Sequence, residues 1–121
     1  MKLRLHNNTI RLRLSQPEVA QIGEGKSLTD TLVINRSFES NFSYSLVPLA
    51  QGERMEAIFQ SNNLTVYVPM QLAKSWAFGQ QVGLTAILPG SLKILVEKDF
   101  QCLHKRPDED ESQNFPNPLA D

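Results

Sequence analysis

Cysteine is nearly missing from these 121 residues: Cys102 stands alone. No disulfide within the chain can staple the fold, and a single thiol fits a reducing compartment. Long apolar runs are missing as well. No stretch approaches the roughly eighteen residues of a membrane span, and Met1 leads straight into alternating strand residues rather than the apolar core of a signal peptide. These absences predict a cytoplasmic protein with no membrane partner. Net charge is small, with 12 basic residues against 13 acidic ones, which is not the strongly basic balance of a dedicated nucleic-acid binder. The sequence also has no nucleophile elbow, no phosphate-cradling glycine loop and no dinucleotide fingerprint. Gly23-Glu24-Gly25 follows a predicted helix, where a C-terminal cap accounts for it.

What is present is unevenly distributed. Residues 1–98 hold ten Lys or Arg against seven Asp or Glu, whereas residues 99–121 hold two against six. Body and tail therefore carry opposite signs. Within the body, Lys2, Arg4, Arg11 and Arg13 fall in the first fourteen residues with no acidic residue among them. Such a stripe is expected to meet phosphate, to guard the edge of a sheet, or to dock the chain's own acidic tail.

Hydrophobic periodicity gives the elements. Leu3 and Leu5, then Ile10, Leu12 and Leu14, alternate with the basic residues at the period of two that marks strands. Asn7 and Asn8 between them tolerate the backbone of a tight hairpin. Ser15-Gln16-Pro17-Glu18 has the form of a capping box opening a short helix that ends at Gly23 or Gly25. Strands are expected over 28–35 and 42–49, and Phe42, Tyr44 and Leu46 alternate there with Ser43 and Ser45. A turn at Gln51-Gly52-Glu53-Arg54 marks the midpoint. Strands near 55–60 and 64–68 follow, joined at Asn62-Asn63. Pro69 then opens a second helix with Leu72, Ala73, Trp76 and Ala77 on one face. It stops at Gly79, and strands over 82–88 and 92–97 close the body around Pro89-Gly90-Ser91.

A shift of 54 positions places Leu3, Leu5, Ile10, Leu12 and Leu14 on Ala57, Phe59, Leu64, Val66 and Val68, and Val19 and Ile22 on Ala73 and Trp76. The expected fold is thus a β-rich α+β single domain over residues 1–106. It has about eight mostly antiparallel strands and two short helices, in two pseudo-repeated ββαββ halves about an approximate twofold axis. Residues 107–121 form an acidic tail: Asp108 to Glu111 repel one another, and the prolines withhold backbone donors, so an extended and mobile segment is expected.

The ending Val96-Glu97-Lys98-Asp99-Phe100, Cys102-Leu103, Arg106-Pro107, Glu109-Asp110-Glu111 and Phe115-Pro116-Asn117-Pro118, with the opening Ile10 to Ser15, resembles a family of small uncharacterised bacterial proteins. That resemblance implies a class and no chemistry. The order Val68-Pro69, Leu72, Trp76, Gly79, Val82 and Pro89-Gly90 is similar to the swapped-hairpin transition-state regulators. The stretch from proline to glycine is about two residues shorter than in their pattern, and arginines before the second strand are absent at Asn62-Asn63. No binding residue is carried over.

Three site readings follow. Cys102 and His104 are the close pair of soft ligands, but Cys-x-His supplies two of the three or four ligands that a metal needs. As a nucleophile and base, the same pair has no fixed geometry from sequence nearness alone. Lys2, Arg4, Arg11 and Arg13 form a surface for nucleic acid or for the tail. Phe115, with Pro116 and Pro118, forms an anchor that sets into a groove of this chain or of another protein. The expected function is a small non-enzymatic cytosolic binding or interaction protein. The alternative is a nucleic-acid-binding module on the basic hairpin, and the third reading is a metal-binding protein at Cys102 and His104. The cofactor is unknown, none being strongly implied, and neither substrate nor oligomeric state follows from the residues.

Overall fold

The computed structural model describes residues 1–36, 40–102 and 108–119. Its element order is β1 (Lys2–His6), β2 (Thr9–Leu14), α1 (Gln16–Gly23), β3 (Leu28–Leu32), β4 (Phe42–Leu49), β5 (Glu56–Gln60), β6 (Asn63–Pro69), α2 (Met70–Phe78), β7 (Gly83–Ile87) and β8 (Lys93–Lys98). The domain is α+β and β-rich, as the periodicity predicts. Consecutive strands form four antiparallel hairpins. The turns carry the left-handed residues such hairpins require, Asn7 at φ 50° and Ser61 and Asn62 at φ 51° and 62°.

The hairpins are exchanged between the halves. One sheet has the order β1-β2-β8-β7 and the other β3-β4-β6-β5, so neither half completes a sheet from its own strands. The joints are parallel: β2 runs beside β8, and β4 beside β6. A parallel pair needs a long connection between its strands, and here each connection runs through whole elements of the intervening chain.

The registers repeat. Every partner pair of the first hairpin, from Lys2↔Arg13 to His6↔Thr9, moves by 54 residues onto a pair of the third, from Glu56↔Tyr67 to Gln60↔Asn63. Thr9↔Lys93 then corresponds to Asn63↔Ser43, which sets β8 on β4 at a shift of 50. The two halves thus share strand order, pairing sense and register.

One core serves both. Leu12, Leu14, Val19, Ile22 and Leu46 of the first half and Met55, Val66, Val68, Ala73 and Trp76 of the second are buried together. Trp76 is fully enclosed, and its indole N–H donates to the Val82 carbonyl at 3.1 Å, satisfying the polar end of a large buried ring. The helices pack on each other where Gly23 ends α1. A Cβ built on Gly23 lies 2.7 Å from the Ala77 Cβ and 2.9 Å from the Phe78 ring. Residues 23 and 77 are themselves related by the shift of 54, so the close approach falls where two equivalent small positions face each other.

Gly23→Ala is therefore expected to cost about 1–3 kcal/mol through overpacking, measured by urea unfolding. Adding Ala77→Gly, which transfers the methyl across the axis, should recover much of that loss. A double variant no more stable than Gly23→Ala alone would show that the helices do not meet here.

Candidate functional site

Alternation puts Lys2, Arg4 and His6 of β1 on the outer face of their sheet, together with Thr9, Arg11 and Arg13 of β2 and Lys93, Leu95 and Glu97 of β8. Register sets them in rows. Lys2 lies opposite Arg13, Arg4 opposite Arg11 and His6 opposite Thr9. Across β2, Arg13 faces Glu97, Arg11 faces Leu95 and Thr9 faces Lys93. Two like-charged pairs stand directly opposite each other on one hairpin, an arrangement that opposes folding. Glu97 is the single carboxylate in these rows, and it meets the Arg11 Nε at 3.0 Å. Arg4, His6, Thr9, Arg11, Lys93 and Leu95 line a hollow of about 280 Å³. Leu95 is 9% exposed although it lies outside the core, covered by the longer side chains around it.

At the other end of the same face the C-terminal segment returns to the body. Lys2 Nζ lies 3.0 Å from Asp99 and 3.8 Å from Glu109. The hydrogen bond to Asp99 raises the Lys2 ammonium above its ordinary value, against the opposing effect of burial. The Phe115 amide donates to the Asp99 carbonyl and the Gln101 amide to the Phe115 carbonyl, both at 2.8 Å. Phe115 packs against the core and beside Phe100, with ring centroids 5.8 Å apart, and Lys98 Nζ lies 5.5 Å from its ring centre. The Gln16 amide and side chain reach the carbonyls of Gln113 and Asn114 at 2.9 and 3.0 Å.

The segment over 108–119 is thus docked rather than trailing, contrary to the extended, mobile chain that charge repulsion and proline content suggest. Those features do not account for the backbone pairing of Phe115 with Asp99 and Gln101, or for Glu111, whose carboxylate accepts the Cys102 amide at 2.8 Å.

The sequence-derived candidates separate. Of the four basic residues, Lys2 pairs with the returning segment, Arg11 pairs with Glu97, and Arg4 and Arg13 remain exposed. Of the proposed anchor, Phe115 is set into the body while Pro116 and Pro118 are exposed. The second contact is Asn117, which donates to the Gln101 carbonyl at 2.7 Å. Sequence reasoning passed over Asn117. Cys102 is half-buried in a hollow with Asp99, Gln101 and Asn117, and His104 lies outside the described residues. Among the described residues no group of three His, Cys, Asp or Glu is placed to hold a metal. His6 and Thr9 continue the outward alternation of the hairpin, whereas Lys93 joins the basic cradle without a local sequence signal, because β8 reaches β2 from the far end of the chain.

Close by, Glu18 supports the start of α1. Its carboxylate accepts the Ser15 amide at 2.9 Å and the Ser15 hydroxyl at 3.0 Å, and it meets the Met1 ammonium. Burial acts to raise the Glu18 carboxyl, but the hydrogen bonds from the Met1 ammonium and the Ser15 amide outweigh it and hold the group below its ordinary value.

Fold and surface together define a two-half α+β domain with exchanged hairpins, one basic sheet face and a C-terminal segment docked at the edge of that face. The chain belongs to a family of unknown function (DUF7009), whose model matches residues 1–119. No curated protein and no solved structure matches it significantly. No helix of the described residues is long and apolar enough to cross a membrane.

Two outcomes are expected. A carboxyl held low by folding stabilises the protein above its unfolded value, and that contribution fades as pH falls through the folded value. Glu18→Gln should therefore lose about 1 kcal/mol at neutral pH, a modest figure because the group is partly solvated. The gap from wild type should close in acid, as read by urea unfolding at stepped pH. Phe115→Ala should cost about 1–3 kcal/mol and speed exchange of the Gln101 amide, while Pro116→Ala should change neither.

Proposed function

We propose that this is a small non-enzymatic cytosolic binding protein that takes an extended acidic segment of another protein across the outer face of the β1-β2-β8-β7 sheet. The observation that carries this reading is the contrast between two equivalent faces. Under the register that relates the halves, Arg4, Arg11, Arg13 and Lys93 correspond to Ile58, Thr65, Tyr67 and Ser43. At those four positions the second sheet builds the same frame with uncharged side chains, beside the hydrogen-bonded pairs Thr29 with Ser45 at 2.8 Å and Thr31 with Ser43 at 2.9 Å, while Glu56, the counterpart of Lys2, is charged and pairs with Arg54.

Cations are therefore not required by this backbone, and two opposed like-charged pairs weaken the hairpin that carries them. A ligand of opposite sign offsets that repulsion. The chain's own Asp99 and Glu109 do so at Lys2, which is an intramolecular instance of an acidic segment on a basic strand.

The second reading, a nucleic-acid module using Lys2, Arg4, Arg11 and Arg13, rests on the same cations. Two features weigh against it. The rows of the face contain no Phe, Tyr or Trp on which a base would stack, and the carboxylates at Lys2 border the track a phosphate backbone would follow.

The test is a fluorescence titration of a labelled Asp/Glu-rich peptide and of a mixed-sequence DNA duplex at several salt concentrations. Peptide affinity should fall with salt and drop about tenfold or more when Arg4 and Arg13 are both changed to Glu. Glu97→Gln, which removes the carboxylate from the rows, should raise it. Tighter binding of the duplex with a steep salt slope would establish the second reading instead. Binding of neither probe sinks both.

A further inference from the structure

We infer that the hollow lined by Arg4, His6, Thr9, Arg11, Lys93 and Leu95 is a subsite for a dianionic phosphoryl group, a phosphate monoester carried on the acidic segment. This inference rests on the binding reading above and narrows it.

The charge is concentrated rather than spread. Arg4 and Arg11 are cross-strand partners, and Lys93 stands one row away opposite Thr9, so three cations flank one hollow of about 280 Å³. Glu97 meets Arg11 through Nε, in the next row toward Arg13. The Arg11 side chain is partly exposed beside the hollow, and a guanidinium presents its terminal N–H groups as a fork that matches phosphate. Thr9 adds a hydroxyl and His6 a ring nitrogen.

A single carboxylate brings one charge and two oxygens to this place. A phosphate monoester brings close to two charges and three acceptor oxygens, which the three cations and the hydroxyl can answer together. The diester of a nucleic-acid backbone carries one charge per phosphate and calls for cations strung along a track. The enclosed Leu95 floor, 9% exposed, removes water from one side of the hollow and strengthens each charged contact.

The other half supplies the control. Arg4, Arg11 and Lys93 correspond to Ile58, Thr65 and Ser43, residues that this same framework already accepts. Arg4→Ile, Arg11→Thr and Lys93→Ser therefore remove the proposed contacts with substitutions suited to their positions. Because they relieve like-charge repulsion, the arginine variants should fold as stably as wild type or more so.

The experiment is a titration of the whole ¹⁵N-labelled chain, at constant ionic strength, with two acidic peptides identical except for phosphorylation of one central serine. Inorganic phosphate is titrated in parallel. The phosphopeptide is expected to bind about tenfold more tightly than its partner. It should move the amides of Arg4, Thr9, Arg11 and Lys93, and lose that advantage in each of the three variants, with urea midpoints showing that the variants are folded. Equal binding of the two peptides, still dependent on the arginines, overturns the phosphoryl subsite and leaves the acidic-segment reading standing. No binding of either peptide, with no response to phosphate, removes both. Inorganic phosphate that binds in the hollow while phosphorylation adds nothing to the peptide moves the source to a free small anion and overturns the assignment. A mixed-sequence duplex that binds more tightly than the phosphopeptide at the same salt overturns it in favour of nucleic acid.

Discussion

Two parallel pairings, β2 beside β8 and β4 beside β6, hold the two halves in one molecule. Each hairpin is a two-stranded unit with an apolar face, and such units are marginal on their own. By pairing across the halves rather than within them, four marginal hairpins become two four-stranded sheets whose apolar faces share a single core. The helices follow from this arrangement, since each links a hairpin in one sheet to a hairpin in the other. Their crossing at Gly23 and Ala77 sits between equivalent positions, where a bulkier pair would force the helices apart.

That frame uses the same backbone twice and leaves two outer faces free to differ. On the β3-β4-β6-β5 sheet the outward positions are mostly hydroxyls and amides that bond to one another. On the β1-β2-β8-β7 sheet the rows hold five Lys or Arg residues and a single carboxylate, with His6, Thr9 and Leu95 between them. The backbone needs neither choice, because both are compatible with it. Chemistry that the fold does not demand, and that opposes the pairing of its own hairpin, is the strongest pointer to function in this molecule.

Much of the architecture was legible because one face of each strand must be apolar. The period of two located the strands within a few residues, and Ser15 with Glu18 and the glycines near residues 23 and 79 located the helices. The shift of 54 that aligned Leu3 through Leu14 with Ala57 through Val68 is the register that the hairpins adopt. Exchange of the hairpins was not legible, since apolar alternation says which face is buried and nothing about which strand lies alongside. The site was legible to the same degree. Arg4, Arg11 and Arg13 were visible as a stripe, while Lys93 came to it only through the β2–β8 pairing. The returning segment was legible in part: docking of the acidic run on the basic hairpin and of Phe115 into the body is expected from charge and motif, and the structure places Glu109 at Lys2 and Phe115 against the core, whereas composition reports the repulsion among Asp108 to Glu111 but not the backbone partners that Asp99 and Gln101 offer to Phe115.

A duplicated framework also explains how a basic face is tolerated. The core is contributed by both halves, so the repulsion between Arg4 and Arg11 or Lys2 and Arg13 acts on one hairpin whose inner face, through Leu12 and Leu14, is fully buried. Burial on that scale outweighs a like-charge pair, which costs at most about 1 kcal/mol on an exposed sheet surface. Lys2 and Arg11 are further relieved by Asp99 and Glu97, which leaves Arg4, Arg13 and Lys93 as the positions where an external anion gains most. The hairpin is therefore held from beneath by hydrophobic contact and left with opposed like charges above, and that separation of support from surface charge is what one sheet of this fold has and its counterpart lacks.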